Sequence, residues 1–195
     1  MSAGNQRRYV KNSQWLLLLL AAARLEAAQT YKLDTGNTQV SIAVQRLGIQ
    51  WMTARFSDIS GEFVMDLQGP RSRVDVTVGV ASLACNEPRW SDRLRSPEWL
   101  DAARYPQMTY HSNSIRLEGD QRGIANGELT LHGVTRPIVL TFGLLNCGSP
   151  GICKFAANGR IKRSEYGLPH GFWTGGDQVD ISITGTVQGE RPGPN

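Results

Sequence analysis

The residues able to do chemistry are few and scattered. Three histidines, His111, His132 and His170, stand far apart in the chain. None has a second histidine, a glutamate or a cysteine at the short spacing that builds a metal site. No Gly-x-Ser-x-Gly elbow presents a nucleophile, and no glycine-rich loop is shaped to cradle phosphate. His132 precedes Gly133, and in such a turn the expected role of the ring is a hydrogen bond to backbone. A hydrolytic enzyme assembled from distant residues is an alternative that nothing in this pattern calls for. The expectation is no catalytic residue, no metal and no cofactor.

The cysteines carry a different kind of chemistry. Cys147 and Cys153 flank Gly148-Ser149-Pro150-Gly151, a turn-forming stretch that brings the two thiols together. In an exported protein this spacing predicts a disulfide and leaves Cys85 free and structural. Cys-x5-Cys has no second ligand cluster nearby, so the pair does not read as a metal site.

Export itself is written at the start of the chain. Arg7, Arg8 and Lys11 precede an unbroken apolar run from Trp15 to Ala23, and the small residues Ala27 and Ala28 follow. A basic segment, a short apolar segment and a small-residue cut site are the parts of a secretory signal peptide. The run is about half of the roughly 20 apolar residues needed to span a bilayer. Residues 1–28 are therefore assigned to a signal peptide, 29–189 to the folded domain and 190–195, with Pro192 and Pro194, to a loose tail. Export from the cytoplasm follows. Removing the leader takes away four of the 21 basic residues and one of the 17 acidic ones, leaving 17 against 16. The basic character thus resides largely in the leader, and a nucleic-acid partner, which would need a clustered basic face, is not expected.

The elements that must position everything else are strands. Val40, Ile42 and Val44 alternate with polar or small residues, as do Val74, Val76, Val78 and Val80. The same holds for Ile138, Leu140, Phe142 and Leu144, and for Val179, Ile181 and Ile183. Successive strand side chains point to opposite faces, so each run has one apolar face. Segments 51–66 (broken near Ser57-Asp58), 108–118, 124–132 and 154–162 bring the set to about eight. Gly69-Pro70, Gly119-Asp120 and the stretch from Gly133 to Pro137 supply short turns, which favour antiparallel neighbours. Residues 91–103 place Leu94, Trp99 and Leu100 near helical spacing, predicting one or two short helices that end by Arg104, before Tyr105-Pro106. The predicted fold class is all-β: an antiparallel up-and-down eight-stranded barrel with one or two short helices. Such a barrel is wide enough to be filled by side chains or to hold one slender ligand, and periodicity alone does not separate the two.

Several stretches, in order, resemble the YceI-like family. Tyr31-Lys32-Leu33-Asp34 is similar to its opening strand, and Arg46-Leu47-Gly48 with Trp51 to its His-Leu-Gly element. Phe56 with Gly61-Glu62-Phe63 fits its next hairpin, and Leu94-Arg95-Ser96, Trp99-Leu100-Asp101 and Tyr105-Pro106 fit its helix and exit. Leu129 to Pro137 is the most specific match, and Arg163-Ser164-Glu165-Tyr166-Gly167-Leu168 resembles the closing motif. The resemblance covers residues 30–189. It implies an extended lipocalin-like barrel exported to the periplasm, often homodimeric, enclosing a long-chain isoprenoid lipid such as a polyprenyl phosphate or a quinone-like lipid. A carrier or storage role of that kind needs a dry tube and no catalytic group.

On this reading the lining residues are Val44, Trp51, Phe63, Val76, Val78, Leu129, Leu140, Phe142 and Ile181. Arg46 stands where the family has histidine, and Trp90-Ser91-Asp92-Arg93 replaces an Arg-Asp-x-His pattern. Arg46 and Arg93 are therefore candidate contacts for a phosphorylated head group, since guanidinium binds phosphate through a fork of N–H donors. Two rivals remain. A structural or stress-response barrel with a filled core would show the same alternation. An outer-membrane barrel would need aromatic girdles at both rims, which Trp51, Trp90, Trp99 and Trp173 do not form, so no stable membrane insertion is expected.

Overall fold

The computed structural model describes residues 29–46, 50–65, 72–119, 121–149, 151–171 and 175–189, with the side chains at 29, 45, 46, 50, 51, 65 and 146–149 left aside. The expected signal peptide and tail lie outside the described residues, as does the Gly69-Pro70 turn.

Eleven strand segments form one sheet. β1 (Gln29–Leu33) and β2 (Gln39–Arg46) are two halves of one long strand, parted by a 3-10 turn over Thr35–Asn37 that Asp34 caps through the Gly36 N–H. β3 (Gln50–Phe56) and β4 (Ile59–Met65) are likewise two halves, parted at the predicted break, Ser57-Asp58. β5 (Arg73–Gly79), β7 (Gln107–Leu117), β8 (Arg122–Leu131), β9 (Val134–Ser149), β10 (Ile152–Lys162) and β11 (Gln178–Gly189) follow in an antiparallel meander. β11 then pairs with both halves of the first strand, while β1 pairs with β4 and β2 with β3. Counting the halved strands once, this is the expected eight-stranded up-and-down barrel, closed so that its edges are paired. The two-residue β6 (Ala84–Cys85) is an addition, pairing with β3 through Ala54 and Cys85.

Three boundaries differ from the sequence reading. The β8–β9 turn is only His132 and Gly133, at φ of 52° and 73°, so β9 begins at Val134 and takes in Arg136 and Pro137. Two positive φ angles match the twist of a tight hairpin, and Pro137 is tolerated because β9 there pairs with β8 alone among the described strands. The helical segment holds one helix, α1 (Pro88–Arg95), which starts earlier than expected with Pro88 at its first position. It stops before Pro97, which forces Ser96 into extended geometry. Trp99 and Leu100 come from the turns that follow. Val80, the last of the valine run, has left the strand for a 3-10 turn (Val80–Ser82) and is fully buried there.

The two ends of the barrel are connected differently. One end carries the long connections: residues 80–106 with α1, and 163–177 with a 3-10 turn over Arg163–Tyr166. Hydrogen bonds tie α1 down, from Cys85 N to Ser91 Oγ (2.8 Å) and from Arg95 to the carbonyls of Ala81 (3.0 Å) and Leu83 (3.3 Å). That end also carries the two-residue β8–β9 turn, and the other end carries the β7–β8 and β9–β10 connections.

Candidate functional site

Inward positions follow directly from the two-residue period. On β5 they are Val74, Val76 and Val78; on β9, Ile138, Leu140, Phe142 and Leu144; on β11, Val179, Ile181 and Ile183. Their registers agree across the wall, since Ile181 sits opposite Ile42 and Ala157 opposite Phe142. Instead of meeting in the middle, these side chains surround a cavity of about 210 Å³ that reaches from Leu33, Phe63 and Phe155 at one end to Leu94, Trp99 and Leu100 at the other. Gly123 helps to keep the wall thin there: a Cβ on it would lie 2.5 Å from the Phe142 ring.

The lumen is apolar, and Thr38, Glu62, Tyr110 and Arg163 along it have their polar groups engaged by the wall and its connections. The Thr38 hydroxyl donates to the Asp34 carbonyl at 2.7 Å, and the buried Tyr110 hydroxyl donates to the Ala125 carbonyl at 3.2 Å. Burial pushes the Tyr110 phenol up to about 12, so it stays a neutral donor. Glu62 faces Arg73 at 3.5 Å. Arg163, only 4% exposed, donates to the Gly175 carbonyl at 2.5 Å and to that of Gly176, and lies 5.9 Å from the Trp99 ring. Desolvation lowers its affinity for the proton, opposed by the charge of Asp177. Asp177 in turn accepts from the Ser164 N–H (2.8 Å) and hydroxyl (2.7 Å). The guanidinium is thus a strut that fixes the 163–177 connection across the end of the lumen.

That end is blind. Leu94, Trp99, Leu100, Ile161, Leu168 and Val179 are all buried. Toward the opposite end the lining residues Leu33, Phe63, Phe142, Leu144 and Phe155 are half-buried, and Tyr31 packs its ring 6.2 Å from that of Phe63. The cavity therefore has a floor beneath α1 and a mouth beside the β7–β8 and β9–β10 connections.

Of the candidate residues, Val44, Phe63, Val76, Val78, Leu129, Leu140, Phe142 and Ile181 all line the cavity. Arg46 and Trp51 lie in β2 and β3, with their side chains outside the described residues. Arg93 lies on the exposed face of α1, its guanidinium 5.3 Å from the Trp90 ring, because Ser91 and Leu94 are the residues that α1 turns inward. The arginine in the lining is Arg163, which the pattern alone did not single out. Continuing the inward alternation of Phe155, Ala157 and Ile161 by one more step reaches it. His132 makes the expected backbone contact, Nδ1 to the Tyr166 carbonyl at 3.3 Å. Cys153 is disulfide-bonded and Cys85 is free; the expected partner, Cys147, has its side chain outside the described residues. Among the described residues no group of three or more His, Cys, Asp or Glu side chains could hold a metal ion.

A closed up-and-down barrel around an apolar lumen defines a lipocalin-like barrel. The chain belongs to the YceI family: the YceI-like domain model matches residues 31–187. It is 34% identical over 179 residues to Protein YceI of Escherichia coli O157:H7, covering 87% of this chain and 93% of that one. To Protein YceI of Salmonella arizonae it is 34% identical over 182 residues, covering 89% and 95%. Among solved structures, Burkholderia cenocepacia BcnA shares the fold with a TM-score of 0.71 at 23% identity, over 79% of this chain and 98% of that one. A polyisoprenoid binding domain from Saccharophagus degradans, implicated in plant cell wall breakdown, shares it with a TM-score of 0.65 at 16% identity, over 82% and 98%.

Proposed function

We propose that the protein is a periplasmic carrier or store that encloses a long isoprenoid-type lipid in the barrel lumen. The observation that carries this reading is the cavity lined almost wholly by apolar side chains, with the polar groups of Thr38 and Tyr110 engaged by the wall. Each methylene moved from water into such a lumen contributes about 0.8 kcal/mol, so a chain of isoprene units binds through length alone, less the cost of ordering it. The Saccharophagus degradans domain, described as polyisoprenoid binding, supports the choice of cargo. The basic-then-apolar leader and the Cys147–Cys153 pair support export to an oxidising compartment.

The wall's outer face supports a water-soluble barrel over one that spans a membrane. Asp75, His111, Glu128, Arg160 and Asp180 point outward in mid-wall, where a lipid-facing belt would be apolar. The floor favours a tail-first lipid. Arg163, the charged side chain there, is engaged by carbonyls and by the field of Asp177, and a lone compensated cation does not balance a buried phosphate. A polar head is therefore expected at the mouth.

The test is direct. Protein purified from periplasmic extract is treated with organic solvent, and the extract is examined by mass spectrometry beside a control protein from the same cells. A stoichiometric isoprenoid is the expected result. Protein that holds none, and takes up none after incubation with polyprenyl lipids, removes the carrier reading.

A further inference from the structure

We propose that the mouth of the barrel is a membrane-docking surface, through which cargo passes between a bilayer and the lumen without crossing water. This rests on the carrier reading and adds the partner: a phospholipid surface. Four large apolar residues are exposed among the described ones, and three of them, Leu117 (43%), Leu145 (65%) and Ile152 (41%), lie at the mouth end. Leu117 closes β7, level through Gly123 with the lining residue Phe142. Leu145 is the bulged residue between Leu144 and Asn146, where β9 continues past its last pairing with β8. Ile152 starts β10 on the same projecting hairpin. The floor end is the opposite: around α1, solvent meets Arg89, Asp92, Arg93, Glu98 and Arg104.

An apolar collar is costly on a water-soluble protein unless something covers it. Here it continues the apolar surface of the lumen outward through Phe142 and Leu144, so whatever covers it also seals the route to the cavity. A bilayer fits, because the proposed cargo is soluble there and its exit into water would forfeit the methylene contributions that hold it. Charge points the same way. Arg122 stands at the start of β8 beside Leu117, and Lys154 follows Ile152, while Glu118 on the same lip is engaged by Arg116 at 3.4 Å. Apolar insertion flanked by cations is the combination that holds peripheral proteins on anionic lipid.

The experiment uses the full secreted chain, vesicles of phosphatidylcholine with phosphatidylglycerol, and a fluorescent polyprenol. The variant combines Leu117→Ser, Leu145→Ser and Ile152→Ser; all three sites are exposed, and thermal melting verifies the fold. The control is Val139→Ser, equally exposed but in mid-wall on β9. The wild-type chain and the control are expected to sediment with the vesicles and to take polyprenol from them. The triple variant is expected to do so on the order of tenfold more slowly, while loading from detergent micelles is unchanged. Equal transfer by the triple variant and wild type would overturn the proposal. So would sedimentation equilibrium showing a dimer that the triple variant dissolves with no change in transfer, because the collar would then be a contact between copies. If neither protein loads from micelles, the carrier reading fails on its own, and vesicle sedimentation still decides the docking.

Discussion

The two ends of the barrel are made from the same strands and the same alternation, yet among the described residues the lining is fully buried at one end and half-buried at most positions of the other. At the floor, Leu94, Trp99, Leu100 and Leu168 come from the two long connections and are buried. At the mouth, among the described residues, Phe63, Phe142 and Phe155 are half-buried. The contrast shows that strand pattern sets the bore of this barrel, while the connections decide which end is sealed. It also assigns opposite physical roles to similar residues: an apolar side chain at the floor contributes to stability, and one at the lip contributes to recognition.

The largest effects should therefore appear at the floor. Trp99→Ala is expected to cost about 3–5 kcal/mol, through lost burial and the cavity it leaves, whereas Leu145→Ala at the lip should stay within about 0.5 kcal/mol. Urea unfolding of both variants measures the difference, and equal losses would break the comparison. Arg163→Met follows. It leaves the Gly175 and Gly176 carbonyls without their donor, for a cost of about 3 kcal/mol, and should loosen the 163–177 connection in hydrogen exchange while the 118–121 turn exchanges as before.

A smaller effect concerns acid. Burial alone would raise the Asp177 carboxyl, but the Ser164 N–H and hydroxyl, with His170 and Arg163, outweigh it and hold the group below its ordinary 3.8. A carboxyl lower in the folded than in the unfolded chain stabilises the fold above the unfolded value and loses that contribution as pH falls. Wild-type protein should thus lose stability below about pH 4, and Asp177→Asn should show a shallower loss in the same window. The smallest expected effect contrasts two phenols that burial pushes up to about 12. Tyr110 donates to Ala125, and Tyr110→Phe should cost about 1 kcal/mol. The Tyr166 hydroxyl is buried with no hydrogen-bond partner among the described residues, so Tyr166→Phe should be neutral or stabilising. Thermal melts of both rank them.

The bore was legible in the sequence because a two-residue period leaves little freedom: choosing the apolar face of β5 or β9 assigns Val76, Val78, Leu140 and Phe142 to the inside together. The connections were not legible to the same degree. Arg93 looked like a head-group contact because of the position it occupies in the resemblance, but the phase of an eight-residue helix turns Leu94 inward and Arg93 out. Arg163 carries no comparable signal, because a charged residue at a strand end is ordinarily solvated. Its burial depends on carbonyls brought from Gly175 and Gly176, twelve and thirteen residues away. Pro137 looked like a turn until the positive φ angles of His132 and Gly133 made a tighter turn sufficient.

The lumen as a container is tested most directly by a high-resolution crystal structure of the protein saturated with a polyprenol. Continuous tubular density is expected from the ring of Phe63, Phe142 and Phe155 down to Trp99, with the apolar end of the chain on the floor. Side chains of Ile42, Val76, Leu140 and Ile181 interlocked across the axis, with no density between them, would contradict it.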